Sequence, residues 1–182
     1  KETPLSAMAL VVLAERAGIP PGVLNLVVGN NSREIGDVLV QSPVVRKLTF
    51  TGSTPVGKQL MKGCADTVKK VSMELGGNAP IIVFDDADID KAVAGAIASK
   101  YRNAGQTCIC ANRILVQSSI YDSFAEKFAK SVTEFHLGVG MNEKTTMGPL
   151  LNAKAVAGVD KLVQDAVSKG ATAITGGGLS DK

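Results

Sequence analysis

The chain has 182 residues, of which 45% are apolar and 20% are charged, and its formal net charge is +3. This composition fits one globular domain or parts of two. Because lysines are scattered among acidic residues and no apolar run is long enough to cross a bilayer, we expect neither a nucleic-acid partner nor a membrane partner.

Helix and strand patterns alternate through the first half of the chain. The predicted elements are a helix over residues 5–17, a strand over 24–28, a helix over 32–41 capped by Ser32, a strand over 46–51, a helix to about residue 64 with Pro55 in its first turn, and a strand over 68–75. Such a βαβα alternation implies a parallel sheet with right-handed crossovers.

The pattern changes after the pair Gly76-Gly77, where we predict a domain junction that separates residues 1–75 from residues 76–182. The elements predicted beyond it are a strand over 80–84, a helix from its cap Asp88 to about Lys100, a strand over 114–117, an amphipathic helix opened by Ser119, a helix over 152–169 and a strand over 171–175. The predicted fold class is therefore α/β.

A Gly-rich turn, Gly52-Ser53-Thr54-Pro55-Val56-Gly57, stands between a predicted strand and a predicted helix. Glycines let the backbone approach a phosphate, and the start of a helix offers unpaired N–H groups and a positive dipole end. Neither the dinucleotide fingerprint nor the P-loop spacing is matched. The alternative interpretation is an ordinary capped helix start.

Cys108 follows a Gly-Gln-Thr turn, and a thiolate is a strong nucleophile even when only a small fraction is ionised. The alternative is a buried, inert cysteine, which is the interpretation we favour for Cys64. A metal site at Cys108 and Cys110 is disfavoured because the only histidine, His136, is remote, so we predict no metal. The three cysteines show no disulfide framework, which indicates a reducing compartment.

Two charged residues accompany this cysteine. Glu74 lies 34 residues upstream between Met73 and Leu75, and an apolar setting would suit it as a general base near neutral pH. Arg102 lies six residues before Cys108 and could hold an anionic substrate tail through its planar fork. The alternatives are a solvated carboxylate at a strand end and a surface arginine.

Taken together, the segments Phe50–Gly57, Met73–Gly77 and Asn103–Cys108 resemble the aldehyde dehydrogenase superfamily in order and spacing. The segments Ala98–Arg113 and Asn78–Asp85 resemble its succinate-semialdehyde branch, and glutarate-semialdehyde enzymes share much of both. The resemblance covers essentially the whole chain. It implies a Rossmann-type parallel sheet segment followed by part of an α/β catalytic domain.

The resemblance also implies catalytic roles. Cys108 would attack the carbon of a small aldehyde with a distal carboxylate, most typically succinate semialdehyde, and its backbone N–H would form part of the oxyanion hole. Glu74 would activate the water that hydrolyses the thioester, and Arg102 would hold the carboxylate. Cys110 is a candidate redox partner of Cys108 under oxidation.

The implied cofactor is NAD or NADP. Ser53 would contact the pyrophosphate, while Leu75 and Gly76 would lie near the nicotinamide end. Lys1 matches a position near the adenosine ribose, where a cation favours a 2′-phosphate and therefore NADP. The cofactor-binding positions predicted in full are Lys1, Gly29, Gly52, Ser53, Gly57, Leu75 and Gly76.

The chain opens at the entrance to a predicted helix and stops just after a predicted strand, so we expect a piece of a longer polypeptide with feeble activity of its own. The resemblance implies a homodimer or homotetramer for the full-length protein, and we predict the cytoplasm, with the mitochondrial matrix as the alternative. Two competing interpretations are a non-catalytic member that keeps the fold, and a thiol hydrolase that uses Cys108 without a histidine partner.

Overall fold

The structure is a computed structural model that describes residues 2–179, and the chain divides into two compact units between Gly76 and Gly77. Both units are built from helices and parallel strands, which confirms the predicted α/β class. The assignment of residues 1–75 to cofactor binding and of residues 76–182 to catalysis stays a prediction. Within residues 2–179, no helix combines the length and the apolarity that crossing a bilayer requires.

The first unit places its strands side by side. Strands β1 (Lys47–Thr51) and β2 (Lys70–Glu74) pair in parallel with Thr51 opposite Glu74, so the ends of both strands lie together at one edge of the sheet. The elements of this unit are α1 (Leu5–Arg16), α2 (Ser32–Gln41), β1 (Lys47–Thr51), α3 (Thr54–Ala65) and β2 (Lys70–Glu74).

The cap of α2 differs from the prediction. Asn31 is the capping residue: its side-chain oxygen accepts a hydrogen bond from the Glu34 N–H at 3.3 Å, and its amide nitrogen donates to the Glu34 carboxylate at 3.0 Å. Ser32 is instead the first helical residue. Asparagine caps a helix as well as serine does, and here it also gains the reciprocal bond to Glu34.

Two predicted strands are wrong. Residues 24–28 and 171–175 form no strand, and the side chain of Val27 is 73% exposed. An apolar run becomes a strand only where a neighbouring strand accepts its backbone hydrogen bonds, and neither run has such a neighbour among residues 2–179. The runs were apolar enough to predict burial, but they carry no information on pairing.

The core of the first unit is small. Val40 of α2, Leu48 of β1 and Cys64 of α3 are buried together, with Val71 and Met73 of β2 packed against them. Cys64 is only 1% exposed, which confirms the expectation that it is buried. This cluster fixes α3 on the β1–β2 sheet and so sets the position of the turn that joins β1 to α3.

The second unit repeats the parallel arrangement with two further strands. Strands β3 (Ala79–Val83) and β4 (Ala111–Val116) pair in parallel, with a register shift between Ala79 and Pro80. Asp88 caps the first helix, as predicted, by accepting the Lys91 N–H at 3.2 Å. The elements are β3 (Ala79–Val83), α4 (Ile89–Lys100), β4 (Ala111–Val116), α5 (Tyr121–Thr133) and α6 (Ala153–Ser168), with a 3₁₀ turn at Ser118–Ile120.

Apolar and aromatic side chains hold α4 against α5. Ala96 on α4 is 1% exposed and belongs to the same buried cluster as Phe124 on α5. Tyr101, at the end of α4, stacks on Phe135 with a centroid distance of 5.1 Å and lies 6.0 Å from Phe128. These contacts fix the end of α4, from which the chain runs directly into the segment that carries Cys108.

Candidate active site

Cys108 lies in the segment that connects α4 to β4, and its thiol is free and exposed. Cys110, two residues later, is also a free thiol but is only 3% exposed. The alternative interpretation of Cys108 as a buried residue is therefore wrong. We call residues 106–110 the Cys108 loop.

The chain enters this loop through a left-handed turn. Asn103, Ala104 and Gly105 have φ values of 50°, 54° and 78°. Asparagine and glycine adopt this conformation readily, whereas alanine does so at a cost of about 1–2 kcal/mol. A Cβ atom on Gly105 would also approach the Lys100 carbonyl to 3.3 Å. The turn therefore contains a strained residue, Ala104, four residues before the candidate nucleophile.

Cys110 fastens the far end of the loop. Its sulfur is hydrogen-bonded to the Thr107 hydroxyl at 2.7 Å and lies 3.8 Å from the Arg102 carbonyl, to which it donates. The next residue, Ala111, donates its N–H to the Ser99 hydroxyl at 3.2 Å, which ties the start of β4 to α4. A disulfide with Cys108 would require the Cys110 sulfur to leave this hydrogen-bonded position.

Gln106 fastens the near end of the loop. Its side-chain oxygen accepts a hydrogen bond from the Leu151 N–H at 2.8 Å, and its amide nitrogen donates to the Asn103 carbonyl at 3.1 Å. The Asn103 amide donates in return to the Gln106 carbonyl at 3.3 Å. Cys108 thus lies on an exposed loop that is hydrogen-bonded on both sides.

Two residues that this geometry involves escaped the sequence prediction of the site. Gln106 was predicted only as part of a motif, and no sequence signal pairs it with a backbone group 45 residues away. Gly77 was predicted only as a junction residue and as the end of the Met73–Gly77 motif, yet it lies against the backbone of Cys108. A doubled glycine before a buried strand is a signal for close backbone approach that could have found it.

Arg102 is exposed and directly precedes the left-handed turn at residues 103–105. Its backbone carbonyl is the one that accepts the Cys110 thiol, so the arginine and the Cys108 loop are joined through Cys110. The structure therefore couples the backbone of this cation to the loop of the candidate nucleophile.

In the first unit, several predicted cofactor residues come together at the end of the β1–β2 sheet. The Gly52 N–H donates to the Glu74 carbonyl at 3.0 Å. Ser53 occupies the cap position of α3, but its side chain makes no capping hydrogen bond. A Cβ atom on Gly57 would lie 2.6 Å from a methyl carbon of Leu75, so only glycine lets Leu75 pack this closely on α3.

The remaining predicted residues of this unit have separate positions. Glu74 is exposed at the end of β2, so the apolar setting expected for it is not formed within residues 2–76. Gly29 precedes α2, where a Cβ atom would lie 2.9 Å from the Ile35 side chain. Gly76 is the last residue of the unit, and Lys1 lies outside the described residues.

Two side chains in the second unit have shifted pKa values. Burial raises the pKa of Tyr101 above its ordinary value of 10.0. Hydrogen bonds from the Lys91 backbone and side chain lower the pKa of Asp88 below its ordinary value of 3.8. Asp88 acts as a helix cap, and Tyr101 supports the end of α4, so neither shift marks a proton-transfer group. Among residues 2–179, no three His, Cys, Asp or Glu side chains are grouped to hold a metal ion.

Comparison with known proteins places this geometry in a family. Glutarate-semialdehyde dehydrogenase of Pseudomonas putida is 61% identical over 178 residues, which are 98% of this chain and 37% of that protein. Mitochondrial succinate-semialdehyde dehydrogenase of Arabidopsis thaliana is 62% identical over 175 residues, which are 96% of this chain and 33% of that protein. The chain therefore spans about a third of the length of these relatives.

Solved structures agree with the sequence relatives. The crystal structure of an NADP-dependent enzyme of Escherichia coli matches with a TM-score of 0.95 and 56% identity, covering 98% of this chain and 37% of that one. The profile of the aldehyde dehydrogenase family matches residues 1–182. The chain belongs to the aldehyde dehydrogenase family.

Proposed function

We propose that the intact enzyme containing this chain oxidises an aldehyde to a carboxylic acid with NAD or NADP, and that Cys108 is its nucleophile. The observation that carries the proposal is the exposed, free thiol of Cys108 on a loop hydrogen-bonded at both ends. A small electrophile can reach such a thiol, and the fastened loop limits its movement.

The turn before α3 fits a dinucleotide cofactor. The α3 N-terminus carries unpaired N–H groups, and the Ser53 hydroxyl is not used to cap them. Gly57 has no side chain, which lets Leu75 pack against the first part of α3, next to this turn. Ser53 and the first N–H groups of α3 would hold the pyrophosphate, with Leu75 beside it. When bound, the oxidised nicotinamide accepts a hydride.

The residues of this chain would perform the other steps. The Cys108 thiolate bonds to the aldehyde carbon, and the carbonyl oxygen takes the negative charge of the thiohemiacetal. Loss of hydride from that carbon leaves a thioester on Cys108. Glu74 then takes a proton from water, the hydroxide attacks the thioester, and the carbon–sulfur bond breaks to release the acid and the Cys108 thiolate. The proton on Glu74 then passes to solvent, which restores the carboxylate.

Variants of the two proposed catalytic residues test this sequence of steps. Cys108→Ala should abolish both the burst of reduced nicotinamide and the steady-state oxidation in the intact enzyme. Glu74→Gln should keep the burst and lose most of the turnover, because only hydrolysis needs the carboxylate. Cofactor-independent acylation by an ester, without any aldehyde oxidation, would favour the thiol hydrolase instead, and the absence of cofactor binding would favour a non-catalytic member.

We propose succinate semialdehyde as the substrate, with glutarate semialdehyde as the alternative, and Arg102 as the group that holds the distal carboxylate. The support is the exposed Arg102 side chain six residues before Cys108 and the names of the two relatives. Arg102→Leu should lower kcat/KM for both semialdehydes by about 10- to 100-fold, the loss typical of a charge-assisted hydrogen bond. An uncharged aldehyde of equal length is the control, and it should lose little.

We further propose that Lys1 favours NADP, because a cation beside the adenosine ribose attracts a 2′-phosphate. Lys1→Glu in the intact enzyme should shift the ratio of kcat/KM values for NADP and NAD towards NAD. An unchanged ratio would remove the idea.

The proposal extends to assembly, compartment and oxidation. We propose a homodimer or homotetramer for the intact enzyme, because the family resemblance implies one, and light scattering tests this.

The cytoplasm is proposed because all three cysteines are free thiols, with the mitochondrial matrix as the alternative.

Cys110 is proposed as a redox partner of Cys108. Peroxide inactivation that is equal in wild type and Cys110→Ala, without rescue by thiol, would reject that role.

A further inference from the structure

The Cys108 loop carries its exposed thiol between two anchors, and only one of them reaches another part of the chain. The Cys110 anchor closes on Thr107 and Arg102, which lie within eight residues. The Gln106 anchor reaches Leu151, which lies 45 residues further along the chain. The local anchor fixes the shape of the loop, whereas the distant one fixes the loop against a separate segment of the second unit.

Gln106 is also held rigidly at its own end. Its backbone N–H and its side-chain amide nitrogen both donate to the Asn103 carbonyl at 3.1 Å, and the Asn103 side chain donates to the Gln106 carbonyl at 3.3 Å. These three bonds close a small frame around the left-handed turn. The amide oxygen that remains accepts the Leu151 N–H at 2.8 Å. A movement of the Leu151 segment would therefore be transmitted to the backbone two residues before Cys108.

We infer that Gln106 is a positioning residue, which fixes the Cys108 sulfur for attack through its bond to the Leu151 N–H. This inference rests on the proposed function. Gln106 carries no charge, so it acts on where the thiol lies and leaves its ionisation alone. A misplacement of about 1 Å in a reacting group can slow attack about 100-fold.

The test is the burst of reduced nicotinamide in the intact enzyme, measured beside alkylation of Cys108 by iodoacetamide. Gln106→Leu removes both side-chain bonds and should slow the burst about 10- to 100-fold. Alkylation should change less than about threefold, because a small reagent needs no fixed attack geometry. The KM for the cofactor should stay unchanged. If this variant does not fold, Gln106→Asn replaces it, since its shorter side chain cannot span to Leu151.

The matched control is Gln117→Leu. Gln117, like Gln106, makes two side-chain bonds in the second unit. It accepts the Asp85 N–H at 3.0 Å and donates to the Asp85 carboxylate at 2.7 Å, but it lies beyond β4. Gln117→Leu should lower the unfolding temperature as much as Gln106→Leu does, and it should leave the burst unchanged. Equal bursts in the Gln106 and Gln117 variants would overturn the inference.

Gln106→Glu provides the rescue, because it keeps an oxygen for the Leu151 N–H. A carboxylate near Cys108 disfavours the thiolate, so bursts are compared at the alkaline plateau of the pH profile, where this effect is absent. There the Glu variant should lie within about threefold of wild type. A Glu variant as slow as the Leu variant would overturn the assignment to the Leu151 bond. A burst that survives Cys108→Ala would contradict the proposed function itself. This outcome is distinct from those of the Gln106 variants, which test only the positioning role.

Discussion

The Cys108 carbonyl oxygen lies 3.1 Å from the position that a Cβ atom would occupy on Gly77. This distance is tighter than ordinary van der Waals contact, so a side chain at position 77 would push the Cys108 backbone by a few tenths of an ångström. The glycine at the start of the second unit therefore decides how closely the Cys108 loop approaches the entrance to β3.

Gly77→Ala should lower kcat of the intact enzyme by about tenfold with little change in the KM for the cofactor, because a displaced Cys108 attacks from a poorer position. Steady-state kinetics measure this split. Gly95→Ala in α4 is the control: apart from its chain neighbours and the backbone of its own helix, no atom of residues 2–179 lies within 4 Å of its Cβ position, so kcat should stay constant. A wild-type kcat for Gly77→Ala would show that the contact does not constrain the loop.

Ala104→Gly should raise the free energy of unfolding by about 0.5–1 kcal/mol. Alanine at φ 54° costs about 1–2 kcal/mol, and glycine removes that strain but loses about 0.5–1 kcal/mol in chain entropy. Ala98→Gly in the interior of α4 is the matched control and should lower the stability by about 1 kcal/mol. Urea unfolding measures the change in the free energy of unfolding, which should be an increase for Ala104→Gly and a decrease for Ala98→Gly. A loss of stability in Ala104→Gly would contradict the left-handed conformation.

Lys69 is a buried cation in the first unit. Its side-chain amine donates to the Ser42 carbonyl at 2.6 Å and to the Thr67 hydroxyl at 2.8 Å, and the residue is 8% exposed. Lys69→Met should lower the free energy of unfolding by about 1–3 kcal/mol, because it leaves a carbonyl at the end of α2 without its donor. The substitution of its exposed neighbour, Lys70→Met, should change the free energy of unfolding by less than about 0.5 kcal/mol. Equal effects of the two substitutions would refute this account.

The raised pKa of Tyr101 predicts that the stability of the fold decreases at alkaline pH. Because its pKa in the folded state is raised above 10.0, the neutral phenol favours the fold. That stabilisation is complete below the unfolded pKa and is lost as pH rises through the folded pKa. The unfolding temperature of wild type should therefore fall more steeply above pH of about 10 than that of Tyr101→Phe. Tyr121→Phe, at the other and more exposed tyrosine, should follow wild type.

The helices could be predicted from the sequence because their signals are local. Asp88 and the periodic apolar residues after it indicate α4 without reference to any other element. The strands at 24–28 and 171–175 could not be judged in this way, since a strand exists only with a partner. The composition of each run suggested a strand, but it does not encode the pairing that a strand needs.

The candidate site likewise has features that local sequence signals predict and features that depend on contacts between distant residues. Cys108, Glu74 and the Gly52 turn carry recognisable chemistry and could be singled out from residue types and spacing. The bond from Leu151 to Gln106 joins residues 45 positions apart, and the strained turn at Ala104 is occupied by a residue that rarely adopts that conformation. Both features depend on how the second unit folds, which no local signal contains.

The central claim is that the Cys108 sulfur bonds covalently to an aldehyde carbon that then loses hydride. Intact-protein mass spectrometry of the Glu74→Gln enzyme, mixed with succinate semialdehyde and with or without NADP, tests it most directly. We predict an acyl adduct that maps to Cys108 and appears only when the oxidised cofactor is present. Aldehyde oxidation without any adduct on Cys108, or undiminished oxidation by Cys108→Ala, would contradict the claim.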